Sequence, residues 1–404
     1  MNLNDLKYNR TLAVLCVIFV FLALSACSRG GDDSSTAPPP PPYSYQVPLD
    51  KGDGWSVANA GSLGLSVPLL ESMIDAMPAE FDIVDSIAVS YQGKLVLDET
   101  LRAELSDFDA WVGNTDPGMH ILFSASKSIA SIAIGIAIDQ GFIANVDVPY
   151  LSLFPYSSYD NWDARKDDLL LEDVLTMRLG IDWNEWDPPY SSPDNRMFRF
   201  YEEETDYSKA LLDLPMTSDP GTTFAYNTAA SVSLGQAIEN SSPFSLIEFG
   251  FNYLLGPLNI SDVEVLRTPT DLPDLGRGLF LHTRDFLKFG QLFADGGSWN
   301  GVPIVSENWV NESTRARVAM SWLQPDNYDW KFDGYAYQWW TGYFEFEGRE
   351  IRTFAARGYG QQVLMVIPEL ELVVAVFSHA WDENAYEVTQ VFELINRFIV
   401  PAVP

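Results

Sequence analysis

Hydrophobic and polar positions divide the chain, from about residue 55 onward, into segments of helical and strand period. Apolar residues recur at helical spacing from Val67 to Met77, with Ser66 as a candidate N-cap and Pro68 tolerable in the first turn. Ser86–Tyr91 and Lys94–Leu97 read as strands joined at Gln92-Gly93, a hairpin signal. Ser124 to Gln140 is strongly apolar and stops at Gly141, a suitable residue just past a helix end. From about Asp160 to Ile260 the pattern is helix and loop, and further helices are expected at Thr283–Ala294 and Ser306–Thr314. Strands return at Ala336–Tyr343, Arg352–Ala356, Gln362–Ile367 and Glu371–Phe377, and Glu383–Ile399 closes as a helix. Strands at both ends with helices between them predict an α+β fold. It is an antiparallel sheet flanked by helices, with a mostly helical subdomain inserted at about 155–265.

The first 50 residues follow a different pattern. Lys7 and Arg10 precede an apolar run, Leu12 to Ala26, too short for a convincing membrane span, and 1–26 reads as a signal peptide. The run ends in Leu24-Ser25-Ala26-Cys27, which resembles a bacterial lipobox, with Cys27 as the lipidated residue; an ordinary signal peptide with an incidental cysteine is the plainer alternative. Residues 27–50 then form a tether, Gly/Ser/Asp-rich and flexible at first, stiff and extended at Pro38–Pro42. The folded domain occupies 51–404. Ser28, in place of an Asp after the cysteine, favours the outer membrane, facing the periplasm.

Composition narrows the partners. With 404 residues, 47% hydrophobic, the chain can bury a large core. A net charge of −32 opposes any nucleic-acid partner and repels anionic substrates at long range. Of the two cysteines, Cys16 lies inside the signal segment, so the mature domain has no internal disulfide and no thiolate metal site. No cofactor or metal motif occurs.

The chemistry concentrates at Phe123-Ser124-Ala125-Ser126-Lys127. Ser124 and Lys127, three apart, share one helix face. A serine hydroxyl needs an adjacent base, and a lysine serves only if desolvation or another cation destabilises its ammonium. The apolar run behind Lys127 supplies that desolvation. At the helix start the Ser124 N–H has no intrahelical acceptor and suits a developing negative charge. An N-capping serine and a lysine reaching water would leave the same letters, so the pair needs company. One companion is Tyr226, in Pro220-Gly221-Thr222-Thr223-Phe224-Ala225-Tyr226-Asn227-Thr228, whose phenol beside an ammonium is expected to ionise more readily and shuttle a proton; packing against Phe224 is its plain alternative. The other is Ala356-Arg357-Gly358-Tyr359-Gly360-Gln361-Gln362, where glycines let a strand edge approach a ligand and offer a second oxyanion donor. Arg357 there is placed to steer a carboxylate, and an ordinary glycine-rich hairpin is its plain alternative.

In this order the three elements resemble the serine β-lactamase-related superfamily, and most of all its class C-like branch of esterases, 6-aminohexanoate-dimer hydrolases and D-amino-acid peptidases. Leu175-Thr176-Met177-Arg178-Leu179-Gly180-Ile181-Asp182-Trp183 and Arg284-Asp285-Phe286-Leu287-Lys288-Phe289-Gly290 are similar to two further stretches of that family. The resemblance implies a β-lactamase/transpeptidase-like fold with the site between sheet and helical domain. It implies Ser124 as acylated nucleophile and Lys127 and Tyr226 as proton-transfer pair. Ser124 N–H would form half the oxyanion hole and the strand at Gly358, Tyr359 and Gly360 the other half. Two departures stand out. The family's Tyr-x-Asn is Tyr226-Asn227-Thr228, leaving Asn227 or Thr228 for the third role. The Lys-Thr-Gly strand of β-lactamases is replaced by Arg357-Gly358-Tyr359, which favours hydrolysis of small esters, amides or peptides over β-lactams. Arg357, Gln362, Asn227 and Thr228 are the candidate polar contacts to substrate, and Trp183, Trp186, Tyr190, Trp339 and Trp340 the candidate apolar wall.

Other readings fit less. A penicillin-binding D-amino-acid peptidase or weak class C-like β-lactamase shares the same residues. A Ser-His-Asp hydrolase needs a Gly-x-Ser-x-Gly elbow, which is absent, although His379 is placed for a late triad base among His120, His282 and His379. A surface-anchored binding protein with the fold and no turnover is the alternative of another class.

Overall fold

The computed structural model describes residues 41–102, 104, 114, 116, 118–323, 328–381 and 389–404. The expected signal segment, Cys16, Cys27, most of the tether and the start of the last expected helix at Glu383 lie outside the described residues.

The strands in chain order are β1 (Val84–Tyr91), β2 (Lys94–Thr100), β3 (Met119–Ile121), β4 (Glu264–Val265), β5 (Leu279–His282), β6 (Ser298–Trp299), β7 (Val302–Pro303), β8 (Val318–Ala319), β9 (Trp330–Tyr335), β10 (Trp340–Phe346), β11 (Arg349–Gly358), β12 (Gln362–Ile367) and β13 (Leu372–Ser378). Eight of them form one antiparallel sheet in the order β2-β1-β13-β12-β11-β10-β9-β8. The first and thirteenth strands lie side by side, second and third from the β2 edge, from Val84 opposite Ser378 to Tyr91 opposite Leu372. Every residue of β1, β12 and β13 is buried, so both faces of the sheet are covered.

The long helices are α1 (Val67–Glu80), α2 (Ser126–Asp139), α3 (Thr228–Ser241) and α4 (Thr283–Ala294). Helix α4 packs across β1, β12 and β13, and α1 packs with the C-terminal helical segment, where Phe81 meets Phe398 edge to face. The chain between β3 and β4 carries α2, α3 and several shorter helices, the mostly helical part placed between the strands of the sheet.

Helix α2 is the pillar of the site. Its residues Ser126 to Ala137 are all buried, as expected of a helix apolar on every side. Two of its three serines are paired: Ser128 Oγ donates to the Gln338 carbonyl at 2.7 Å, and Ser126 Oγ accepts from Leu279 N–H at 3.3 Å. Gly141, at φ +74°, ends it: Phe142 N–H reaches the Ala137 carbonyl and Gly141 N–H the Ile138 carbonyl.

The structure departs from expectation at several places. Strand β10 begins at Trp340, not Ala336, because residues 336–339 turn tightly, with Gln338 at φ +62° and Ala336 N–H bonded to the Trp339 carbonyl. The partner across that turn, β9, and the small sheet β3-β5-β4 were not expected; β3 and β4, of three and two residues, are too short to show a period. Ser66 does stand at the start of α1, yet its side chain makes no capping bond.

Candidate active site

Ser124 sits in a single 3-10 turn, Phe123–Ala125, that feeds directly into α2. Phe123 holds φ +46°, a left-handed conformation that costs a bulky residue about 1–2 kcal/mol. Its ring packs against Tyr359 and Trp381, at 5.7 and 5.8 Å between centroids, which offsets that cost. The turn leaves Ser124 partly exposed while Lys127, one turn on, is 1% exposed.

Lys127 Nζ is 2.9 Å from Ser124 Oγ, 3.0 Å from Thr228 Oγ1 and 2.8 Å from the Gly276 carbonyl. Three acceptors match the three protons of an ammonium. Burial nevertheless pulls its pKa down to about 8, against the carboxylates of Glu185 and Asp274, which pull it up. Tyr226, from the turn before α3, lies with its ring 5.0 Å from Lys127 Nζ and its phenol close enough to Ser124 to be influenced by it. The ring is clasped between Trp186 and Trp340, at 5.4 and 6.1 Å. The expectation that this phenol ionises more readily is corrected: burial first and Glu185 second push its pKa well up, outweighing Ser124 and Arg357.

The two alternatives for the third role separate. Thr228 touches Lys127; Asn227 caps α3, its Oδ1 accepting Ala230 N–H at 2.9 Å. Behind Thr228 stands Glu185, which the sequence reading missed. It is 2% exposed and accepts from Thr228 N–H at 2.6 Å, from Thr228 Oγ1, from Tyr190 OH at 2.6 Å and from Trp183 Nε1 at 3.1 Å. Its only sequence signal was an acid set between two tryptophans, two residues past the Leu175–Trp183 stretch.

The end of β11 closes the other side. A Cβ on Gly358 would fall 2.0 Å from the Leu122 carbonyl, so only glycine lets this strand end lie against the Ser124 turn. Gly360, at φ +76°, leaves room for the Trp381 ring, which stacks on Tyr359 at 6.1 Å. Two residues of this segment have duties other than those expected. Gln362 is fully buried and its amide donates to the carbonyls of Tyr359, Gly360 and Ser378, so it holds the turn. Arg357 lies among Trp330, Phe332, Trp340 and Phe392, 5.0 to 5.6 Å from their centroids, an aromatic enclosure rather than an open steering position.

A cavity of about 320 Å³ opens beside Tyr226 and Glu185, walled by Trp183, Trp186, Phe224 and Trp322. Of the expected aromatic wall, Trp339 is instead core, between Phe293 and Phe354. His379 does pair with a carboxylate, Nδ1 to Asp85 Oδ1 at 2.7 Å, but the group beside Ser124 is Lys127. Among the described residues one group has metal-ligand spacing, Asp116, Asp262 and His282; it shares no residue with this site, and His282 there is already bonded to the Gly118 carbonyl and to Asp262.

Comparison with known proteins identifies a family and several similar folds. The family model described as "Beta-lactamase" matches residues 82–392. A 6-aminohexanoate-dimer hydrolase from Paenarthrobacter ureafaciens is 25% identical over 338 residues, 81% of this chain and 79% of that protein. Among solved structures, a family VIII carboxylesterase superposes with a TM-score of 0.61 at 16% identity, covering 83% of this chain and 98% of that one. A D-stereospecific amidohydrolase from Streptomyces sp. does so with a TM-score of 0.55 at 14% identity, covering 80% and 97%. At such identities the structural likenesses establish the fold.

Proposed function

The chain belongs to the beta-lactamase family, and from that premise we propose that it is a serine hydrolase that opens small esters or amides through an acyl-enzyme on Ser124. One observation carries the reading: a buried Lys127 whose Nζ stands 2.9 Å from Ser124 Oγ, with the Tyr226 ring 5.0 Å from that Nζ. The neutral amine takes the Ser124 proton as Oγ bonds to the carbonyl carbon. Negative charge then collects on the carbonyl oxygen, facing Ser124 N–H and an N–H of the Gly358–Gly360 segment. When the bond to the leaving group breaks, Tyr226 donates its proton and recovers one from Lys127; its raised pKa suits an acid, not a base. Water attacks the acyl carbon by the reverse path and frees Ser124. Thr228 and Glu185 fix Lys127 in place.

The names of relatives support esters and amides as the substrate class, 6-aminohexanoate oligomers among them. Arg357-Gly358-Tyr359, where β-lactamases carry Lys-Thr-Gly, argues against efficient β-lactam turnover. A fluorophosphonate probe should label the wild-type chain at Ser124 and leave Ser124→Ala unlabelled; a wild type that no acylating probe labels would make this a binding protein instead. A panel of p-nitrophenyl esters, nitrocefin, D-alanyl peptides and aminohexanoate oligomers ranks the substrates, with nitrocefin expected last among those turned over. We also propose export and anchoring through a lipid on Cys27, on the Leu24–Cys27 pattern and the tether after it. Cys27→Ala should release soluble protein, and membrane association that survives it would defeat the anchor.

A further inference from the structure

Asp85, in β1, is 0% exposed and takes no part in the chemistry above. A buried carboxylate is costly unless several donors compensate it, and here three cationic or ionisable side chains converge on it. Arg102 grips both oxygens, with Nη2 2.9 Å from Oδ2. His379 Nδ1 is 2.7 Å from Oδ1, and His120 Nε2 is 3.6 Å from Oδ2.

The two histidines come from the two segments that flank the nucleophile. His120 is the middle residue of β3, four positions before Ser124, and its ring is stacked on Phe377 at 4.9 Å. His379 follows β13 and opens the segment that backs the Gly358–Gly360 turn. In that segment Trp381 accepts the Tyr359 hydroxyl on its carbonyl at 2.9 Å and stacks on the Tyr359 ring. Ala380 bridges to Gly360, and Ser378 Oγ donates to the carbonyls of Gly360 and Gln361 at 2.8 Å each. The two segments otherwise meet through Gly358 against Leu122 and through Phe123 against Trp381.

We propose that Asp85 is a positioning residue that holds the two halves of the oxyanion hole in register, one through His120 and the other through His379. The inference rests on the hydrolase reading of Ser124. Donors aimed at a developing oxyanion act only at fixed separation, so a loosened tie slows acylation without weakening ground-state binding.

Because Asp85→Asn removes a buried charge and can unfold the chain, the test uses the half-exposed His379. The full chain, with His379→Ala and His379→Asn, is titrated with a fluorophosphonate, and maximal labelling rate and half-saturating concentration are measured separately. In His379→Ala the maximal rate should fall about tenfold while the half-saturating concentration stays within about twofold. In His379→Asn an amide N–H replaces the Nδ1 donor, so most of the rate should return. Equal rates in Ala, Asn and wild type would overturn the positioning role alone, as would rates that follow melting temperature rather than the donor. A wild type that the probe does not label would overturn the hydrolase reading and this inference with it.

Discussion

At the scale of single residues, the hydrolase reading makes Lys127 the group expected to set the pH dependence. Its amine is protonated below about 8 and neutral above, because burial has lowered its pKa from the usual lysine range. If the neutral form accepts the Ser124 proton, kcat/KM for a p-nitrophenyl ester should climb with pH through about 8 and then level. A flat profile across that value would exclude Lys127 as the base. Lys127→Ala should lower turnover by about 10²–10⁴-fold with the fold retained in circular dichroism. Gly358 makes a steric demand instead. Gly358→Ala forces a methyl group onto the Leu122 carbonyl, and should separate strand from nucleophile and abolish most labelling at Ser124. Much of this residue scale was legible. Ser124, Lys127 and Tyr226 were found because small motifs of fixed spacing bring them together, and the structure does place them within reach of one another. Glu185 was not, since a single acid in a loop carries no period and acquires its partners only when Thr228 and Tyr190 fold onto it.

Among the elements, α4 shows what a motif can mean besides catalysis. Its Arg284-Asp285-x-x-Lys288 pattern, read as a family likeness, is a brace. Arg284, 5% exposed, binds Asp53, Asp98 and the Leu49 carbonyl, while Lys288 pairs with Asp285 at 2.7 Å and reaches the Asn259 carbonyl. The brace ties the segment entering the domain to the helix that covers β1, β12 and β13. Arg284→Ala should therefore cost about 3–5 kcal/mol in urea unfolding and leave KM unchanged, since the partner carboxylates lose their buried cation. A loss under about 1 kcal/mol would mean that water replaces the guanidinium. Element legibility followed length. Helix α4 and strand β12 were expected at the residues where they stand, whereas β3, β4 and β8, of two or three residues, exist only through their pairing partners.

On the scale of the whole molecule, charge dominates encounter. A net charge of −32 repels anionic substrates at distances that salt shortens, about 30 Å at 0.01 M and 3 Å at 1 M. For an ester carrying a carboxylate, kcat/KM should rise several-fold as salt is raised across that range, while a neutral ester of the same size stays level. Parallel curves would place the negative charge away from the approach to the site. The antiparallel sheet flanked by helices was readable from strands at both ends of the chain; the strand order was not, because only long-range pairing decides it.

That order has a consequence for how the molecule comes into being. The sheet joins β1 to β13, strands from the two ends of the domain, and the end of β11 lies against the turn that opens α2. A ribosome therefore delivers the serine and lysine more than two hundred residues before the strand that faces them. On the hydrolase reading, the growing polypeptide would hold its nucleophile without the facing strand until the final strands dock.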